Sequence, residues 1–462
     1  MAKIGAVGST AGCSHATGGH KRVPDTNMSI GSIVSRLLVH DDRRSRIFTY
    51  VCFACAPIAG SAVSFAVNIG AAGGVLEVMR GIIPVSRDRF LLYLTIPFYL
   101  YCAAYLLSLA VNPAPDWEYI LPVLTFLLFP FLYSSWCLSR KETIARSVVT
   151  ASMIACFGAL AFALVQFHVY GMRAEGGAGN AIVFATVTCL AASIALAGAF
   201  IREGMATVPL FGAYCAGSIA VLYSGSRITW LALFLSTAVV LWIYRERRHA
   251  WNSAFAVGCA ALAVGVVTFA GAQVVPARIE ALARDWQQMS EHQNYDSSLG
   301  RRAELWRIGL SAVRQNPIVG HGPQSTKPLI NKGFEEVGLD VHYSHFHNGF
   351  LNAWVETGMI GSLSLAAIFV VAACLAVRTL SRAADADARL GAVMLLVVVT
   401  TYPVSGLTGI LVGHDIGDAM LVAFLAVGAY LAAGASMLEQ EASRQSPAGD
   451  ESAVRAEIRS GD

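Results

Sequence analysis

The chain has 462 residues, 55% of them hydrophobic and only 14% charged, with a mean hydropathy of +0.57. Soluble globular proteins carry roughly 25% charge, so the composition excludes an ordinary soluble domain and indicates a polytopic α-helical membrane protein. The net charge of +3 separates no function classes; the placement of the charges does.

Residues 1–46 are rich in Gly, Ser and Arg and lack the apolar stretch of a cleaved signal peptide. They read as a cytoplasmic N-terminal segment, disordered over 1–28. Twelve apolar runs near the roughly 20 residues needed to cross a bilayer follow at 47–66, 67–86, 91–111, 118–137, 147–169, 179–201, 206–224, 228–244, 251–272, 349–377, 389–410 and 416–437. With that count, the basic stretches ending at Arg46 and at Arg87–Arg89, Arg140–Arg146, Arg202, Arg245–Arg248 and Arg378–Arg389 all share the side of both termini. The positive-inside rule makes that side cytoplasmic. The short loops on the other side are poor in Lys and Arg, with Arg173 as the exception. The expected organisation is therefore the N-terminal segment 1–46, nine transmembrane helices in 47–272, a large outer loop at 273–348, three more helices in 349–438 and a cytoplasmic tail at 439–462. No short fixed-period repeat is present.

The ten cysteines fall almost entirely within apolar runs, and none lies between 273 and 348, which excludes a disulfide framework in the large loop. Cys52 and Cys55 have CxxC spacing but sit in an apolar run with no second ligand pair, so they read as small buried hydrophobes.

Three stretches can carry chemistry. Ser224-Gly225-Ser226-Arg227 joins two runs near the outer face. An arginine there must reach water, lipid phosphate or a substrate anion; snorkelling to headgroups is the structural alternative. Ser298–Leu310 reads as an amphipathic helix whose apolar face is 305, 306, 309, 310 and 313, with Arg301 and Arg302 near its positive dipole end, a place suited to a pyrophosphate-sized anion. Asn316–Pro323 ends that helix in a tight turn. His345 and His347, flanked by Asn348, stand at the edge of the next run with Glu356 about two turns further on. A neutral imidazole there suits general-base work. Their i, i+2 spacing is not that of a helical metal pair, and a site using His342 as well would lack carboxylate ligands. His414, Asp415 and Asp418 read as a solvated turn.

Taken in order, Ser224–Arg227, Gly300-Arg301-Arg302 with Trp306, Asn316–Gly322, and His345-Phe346-His347-Asn348 with Leu351, Glu356, Gly358 and Gly361 resemble the O-antigen ligase and polymerase superfamily of bacterial envelope glycosyltransferases. The resemblance covers roughly 220–365. It implies a C-type glycosyltransferase architecture and a cofactor-free, metal-independent enzyme of the inner membrane. Such an enzyme takes a glycan from an undecaprenyl-pyrophosphate donor at the periplasmic face. The ligase branch delivers it to lipid A-core, polymerases extend the polysaccharide, and a third branch glycosylates proteins. Only about 25 residues follow the last run, which favours the ligase.

On that reading Arg227 and Arg302 clamp the pyrophosphate, with Arg301 as a further contact. His347 or His345 deprotonates the acceptor hydroxyl for inverting attack, and Asn348, Glu356 and Ser226 support the site. The competing class is an envelope lipid or polysaccharide transporter, which would need intramembrane carboxylates that are few here.

Overall fold

The computed structural model describes residues 43–81, 88–112, 117–137, 139–202, 204–245, 271–272, 275–277, 279–291, 296–338, 341–382 and 385–433. The expected crossing at 251–272 lies outside them except for its last two residues, as do most of the N-terminal segment and the expected cytoplasmic tail. Among the described residues there is no strand, and eight helices are long and apolar enough to cross a bilayer. The protein is an all-α polytopic membrane protein.

Helix starts are set by short polar side chains. Asp88 accepts from the Phe90 amide at the head of α4 (Arg89–Val111), and Asn180 accepts from Ile182 and Val183 at the head of α8 (Ala181–Ile201). Asn348 does the same for α14 (Gly349–Leu380) and Asp385 for α15 (Ala386–Gly406). Each cap satisfies amides that no helical carbonyl reaches, contributing about 1 kcal/mol.

The first two expected crossings have different limits. The chain forms α1 over 43–54, the single turn α2 (Ala56–Ala59), and then α3 (Ala62–Met79), which straddles the expected boundary at 66. Pro57 restarts the helix after Cys55, and Gly60 at φ +55° stops it again. A Cβ on Gly60 would stand 2.1 Å from the Gly177 carbonyl oxygen. The run at 118–137 is likewise divided, into α5 (Leu121–Leu127) and α6 (Phe129–Trp136), each with a proline in its first turn.

The bundle continues with α7 (Lys141–Leu164), α9 (Val208–Tyr223), α10 (Arg227–Ile243) and α16 (Asp415–Ala432). Helices α8 and α16 are the inner ones. Their apolar windows are 89% buried against 28% for α3, and α16 packs against α3, α6 and α15 while α8 packs against α7, α9, α10 and α15. Helix α14 lies along α4 and α15. It buries Gly361, Ser364, Leu365, Ile368, Ala372 and Leu375 and exposes Leu363, Val370 and Val377. That heptad-spaced exposed stripe is what lipid contact requires of an outer helix.

Three more helices, α11 (279–291), α12 (Ser298–Gln315) and α13 (Thr326–Glu336), lie before α14. Helix α12 is amphipathic, but its buried face is Leu305, Ile308, Gly309, Ala312 and Val313; Trp306 and Leu310 are exposed. With α13 it encloses Phe334 and Phe346.

Helix α14 is broken at Gly358, where φ is +69° and ψ −172°. Residues 359–380 alone rise roughly 33 Å at 1.5 Å per residue, enough for the hydrocarbon core, so the limb 349–357 extends beyond it. The break frees carbonyls that the loop 316–322 takes up. The His321 amide donates to Val355 (2.7 Å), the Gly322 amide to Glu356 (3.1 Å), and the Met359 amide donates back to Pro317 (2.9 Å). The Ser108 hydroxyl of α4 also donates to the Glu356 carbonyl (2.6 Å). Such partners are obligatory near a bilayer, where an unpaired carbonyl costs several kcal/mol.

A Cβ at position 358 would stand 1.9 Å from the Ile318 carbonyl oxygen. Gly358→Ala is expected to lower the midpoint of thermal unfolding in detergent, through about 1–3 kcal/mol of backbone strain plus the displaced loop. Gly73→Ala, where a Cβ meets nothing within 4 Å, is the control; equal melting of the two variants would refute this role for the break.

Candidate functional site

The site is assembled where α10, α12 and the entry to α14 converge. Arg227 is the first residue of α10, behind a buried turn in which Ser224 Oγ donates to the Val221 carbonyl (2.7 Å) and accepts from the Ser226 amide (3.2 Å). Ser226 is the N-cap residue, but its hydroxyl caps nothing; its carbonyl accepts from Thr229. The turn is braced from a second loop. Arg173 Nε donates to the Ser224 carbonyl (2.9 Å), and the Ala174 amide donates to the Tyr223 carbonyl (3.0 Å).

Helix α12 begins with Ser297, whose hydroxyl accepts from the Gly300 amide. Arg301 and Arg302 follow on different faces and have different partners. Arg301 forms an ion pair with Asp296 (2.7 Å) and a hydrogen bond with Tyr343, which together raise its already high pKa. Arg302 has no ion-pair partner among the described residues. Burial, then the like charge of Arg227, pushes its pKa down, though a guanidinium stays charged at neutral pH. The two arginines expected to act as a clamp are thus brought into one electrostatic neighbourhood, while Arg301 is tied to a carboxylate.

The histidines flank an anchor. Phe346 is fully buried among Leu305, Ile308, Phe334, Leu351 and Val355, so its neighbours are held half-exposed on either side. The rings of His345 and His347 stand 4.3 Å apart, and Tyr343 lies edge-on to His347 at 5.2 Å. His347 has φ +49°, a left-handed conformation that costs a non-glycine residue about 1–3 kcal/mol. Its Nδ1–H donates to the Thr408 carbonyl (3.3 Å). A carbonyl can only accept, so this contact assigns the proton to Nδ1 and leaves Nε2 with a free lone pair. Burial and then Arg302 lower the His347 pKa, with the Thr408 carbonyl opposing them. Burial, His347 and His414 hold His345 at about 4. Both imidazoles are neutral at physiological pH, as a base must be before it acts.

The remaining expected residues have identifiable places. Asn348 is the α14 cap. Glu356 accepts from the Thr326 hydroxyl (2.8 Å), the Gln324 amide (3.3 Å) and the Asn352 side chain. His321 is a structural residue, bonded to the Ala312 carbonyl at the end of α12 (2.8 Å). The turn at 414–418 is not simply solvated: Asp418 is buried and accepts from the Gly413 amide (3.0 Å). Among the described residues no three His, Cys, Asp or Glu side chains are grouped to hold a metal ion.

Residues 212–366 match the family model described as O-antigen ligase. This segment, about a third of the chain, is similar to the O-antigen ligase family. An uncharacterized protein of Haemophilus influenzae is 24% identical over 296 residues, covering 62% of this chain and 72% of that one. The exopolysaccharide production protein ExoQ of Rhizobium meliloti is 37% identical over 86 residues, 17% of this chain and 19% of its own length. The matched segment runs from α9 into α14 and so contains the arginine turn, α12 and the histidines. Members of this family are membrane glycosyltransferase-like enzymes acting on lipid-linked glycans.

Sequence reasoning noted Arg173 only as an exception to a charge rule. That exception was the available signal, since a lone cation in a loop otherwise poor in Lys and Arg calls for a partner, and here the partner is the turn that presents Arg227. Histidine NMR of the protein in nanodiscs is expected to show His345 protonating only near pH 4 and His347 below its ordinary 6.5. In Arg302→Ala, loss of a neighbouring positive charge should raise the His347 value; no change would show that Arg302 does not face it.

Proposed function

We propose that this protein is an inner-membrane O-antigen ligase. It would transfer a polysaccharide from undecaprenyl pyrophosphate to the lipid A-core oligosaccharide at the periplasmic face. The observation that carries the reading is the pair of imidazole rings 4.3 Å apart, with His347 held through Nδ1 by the Thr408 carbonyl, in a neighbourhood whose cations are Arg302 and, beside it, Arg227. A cation pair beside a neutral base is what glycosyl transfer from a lipid diphosphate needs.

In this mechanism the acceptor hydroxyl attacks the anomeric carbon as its proton passes to a histidine lone pair. The bond between that carbon and the phosphate oxygen breaks, and the electron pair leaves with the lipid pyrophosphate. Arg227 and Arg302 offset the charge that grows on the leaving group through bidentate hydrogen bonds. His347 is the better base because Thr408 fixes its tautomer; His345, bonded through Nδ1 to the Ser344 hydroxyl (3.0 Å), packs against it and orients it. Attack opposite the leaving group inverts the anomeric centre. Arg301, bridging Asp296 and Tyr343, holds the segment before the histidines against α12. Asn348 fixes where α14 begins, and Ser226 shapes the turn before Arg227.

A polymerase of the same superfamily is the second reading, favoured by the similarity to a protein named for exopolysaccharide production. Gel analysis of lipopolysaccharide from a deletion strain separates the two. Loss of a ligase leaves bare core with carrier-linked polymer accumulating, whereas loss of a polymerase leaves core bearing a single unit.

Purified protein in detergent, given donor and acceptor and no ion gradient, is expected to form product; an ion-coupled transporter would form none. His347→Ala should lower turnover by about 10²–10⁴-fold and Arg302→Ala by about 10²–10³-fold. The wild-type acid limb should fall below pH 6.5, because the lowered His347 pKa keeps the ring neutral further into acid. Near wild-type turnover in both variants sinks the assignment.

A further inference from the structure

A cavity of about 180 Å³ lies between α4, the loop leading to α13 and the first limb of α14, lined by Tyr101, Tyr105, Gln324, Ser344, Asn352 and Glu356 among others. It falls below the roughly 300–1,000 Å³ of pockets that take drug-sized ligands, so it admits one small ring and not a glycan chain or a lipid. Its walls are aromatic on one side and rich in hydrogen-bond acceptors on the other. The Glu356 carboxylate has about four lone-pair sites and receives Thr326, Gln324 and Asn352. Asn352, only 6% exposed, turns its amide towards Glu356, and its Oδ1 has no hydrogen-bond partner. A buried acceptor left unpaired costs about 1–3 kcal/mol, a cost that a donor placed beside it removes.

The chemistry of the complementary ligand follows. It must offer several O–H or N–H donors and carry no negative charge, since it would sit against the Glu356 carboxyl group, which burial pushes up to a pKa of about 7 and which is partly ionised at neutral pH. Tyr101 and Tyr105 give it apolar ring surface, and the Tyr105 ring is fixed by its hydroxyl donating to the Tyr119 carbonyl (2.9 Å). A neutral pyranose meets these demands; a phosphate does not. The cavity also has a direction. Exposed Ser344 at its rim touches His345, whereas Arg302 acts on His347. The histidine pair therefore stands between a cationic region and an acceptor-lined one that contains the Glu356 carboxyl group.

We infer that this cavity is the subsite for the acceptor sugar, in which Glu356 and Asn352 bind the hydroxyls of the ring that carries the attacking oxygen. The inference rests on the glycosyl-transfer reading for its role but not for the binding it claims.

The test is saturation-transfer NMR on the full chain in nanodiscs, with methyl α-D-glucopyranoside as the probe and glucose 1-phosphate as the anionic comparison. The glucoside should bind the wild type and the Arg302→Ala variant alike. Glu356→Gln, which keeps shape and removes charge, should weaken it by about tenfold. Ser344→Trp, a loop change at the rim that leaves the core untouched, should abolish it. Absence of glucoside signal in the wild type, or equal signal in the wild type and both cavity variants, overturns the subsite. So does equal binding of the phosphate sugar in Arg302→Ala. Glucoside binding without any glycosyl transfer would sink the transfer reading alone, and transfer without glucoside binding would sink the subsite alone.

Discussion

The interruption of α14 at Gly358 is the constraint on which the rest of the structure depends. An unbroken helix would consume the Val355 and Glu356 carbonyls internally. The break offers them to the loop 316–322 instead, and the loop's own carbonyl at Pro317 accepts in return from the Met359 amide and from the Trp354 indole. This exchange fixes the end of α12 relative to the start of α14. Arg301 and Arg302 ride on the first of these helices and the histidines immediately precede the second. Side-chain distances in the site are therefore set by backbone hydrogen bonds several residues away, a stiffer arrangement than long side chains on a free loop would provide.

Within that frame Phe346 does for the histidines what the glycine does for the loop. Its burial in the satellite core of α12 and α13 contributes a few kcal/mol, enough to outweigh the left-handed strain at His347. The alternation His-Phe-His then has a simple physical meaning. The central ring goes into the apolar cluster, and the backbone holds both imidazoles together on its other side. Their packing lowers both pKa values by desolvation, and each ring's proton affinity is lowered further by a neighbouring positive or protonatable group.

Much of this was legible in the sequence, for reasons that can be named. The apolar runs fixed the class because no soluble fold tolerates them, although their limits were drawn without the capping residues Asp88, Asn180, Asn348 and Asp385 that set where α4, α8, α14 and α15 begin. Histidine and arginine stood out because they are expensive near a bilayer. What could not be read was tertiary. Gly358 lies inside an apolar run, and glycine in such a run also serves close packing, as Gly361 does beside Ala104. The expected apolar face of α12 included Trp306 and Leu310 because periodicity alone could not choose between adjacent stripes. The stripe against Phe334 and Phe346 wins because those rings fill it. Spacing alone gave Arg301 and Arg302 the same setting and only the family resemblance ranked Arg302 first; the Asp296 and Tyr343 contacts of Arg301 appear only once the chain has folded.

The electrostatics also argue for a division of labour within one site. Bringing Arg302 near Arg227 while partly burying it is unfavourable, because each charge loses water and meets its like. A bound anion of high charge density would relieve that cost at Arg302, and on the proposed reading the donor's diphosphate is that anion. The carboxylate of Glu356 would neutralise such a site if it stood among the arginines. It is bonded instead to Thr326, Gln324 and Asn352, in the cavity that Ser344, next to His345, also lines. On the proposed reading, the cationic side of the neutral imidazole pair would take the donor and the acceptor-lined side the acceptor, with the imidazole placed to receive the acceptor proton.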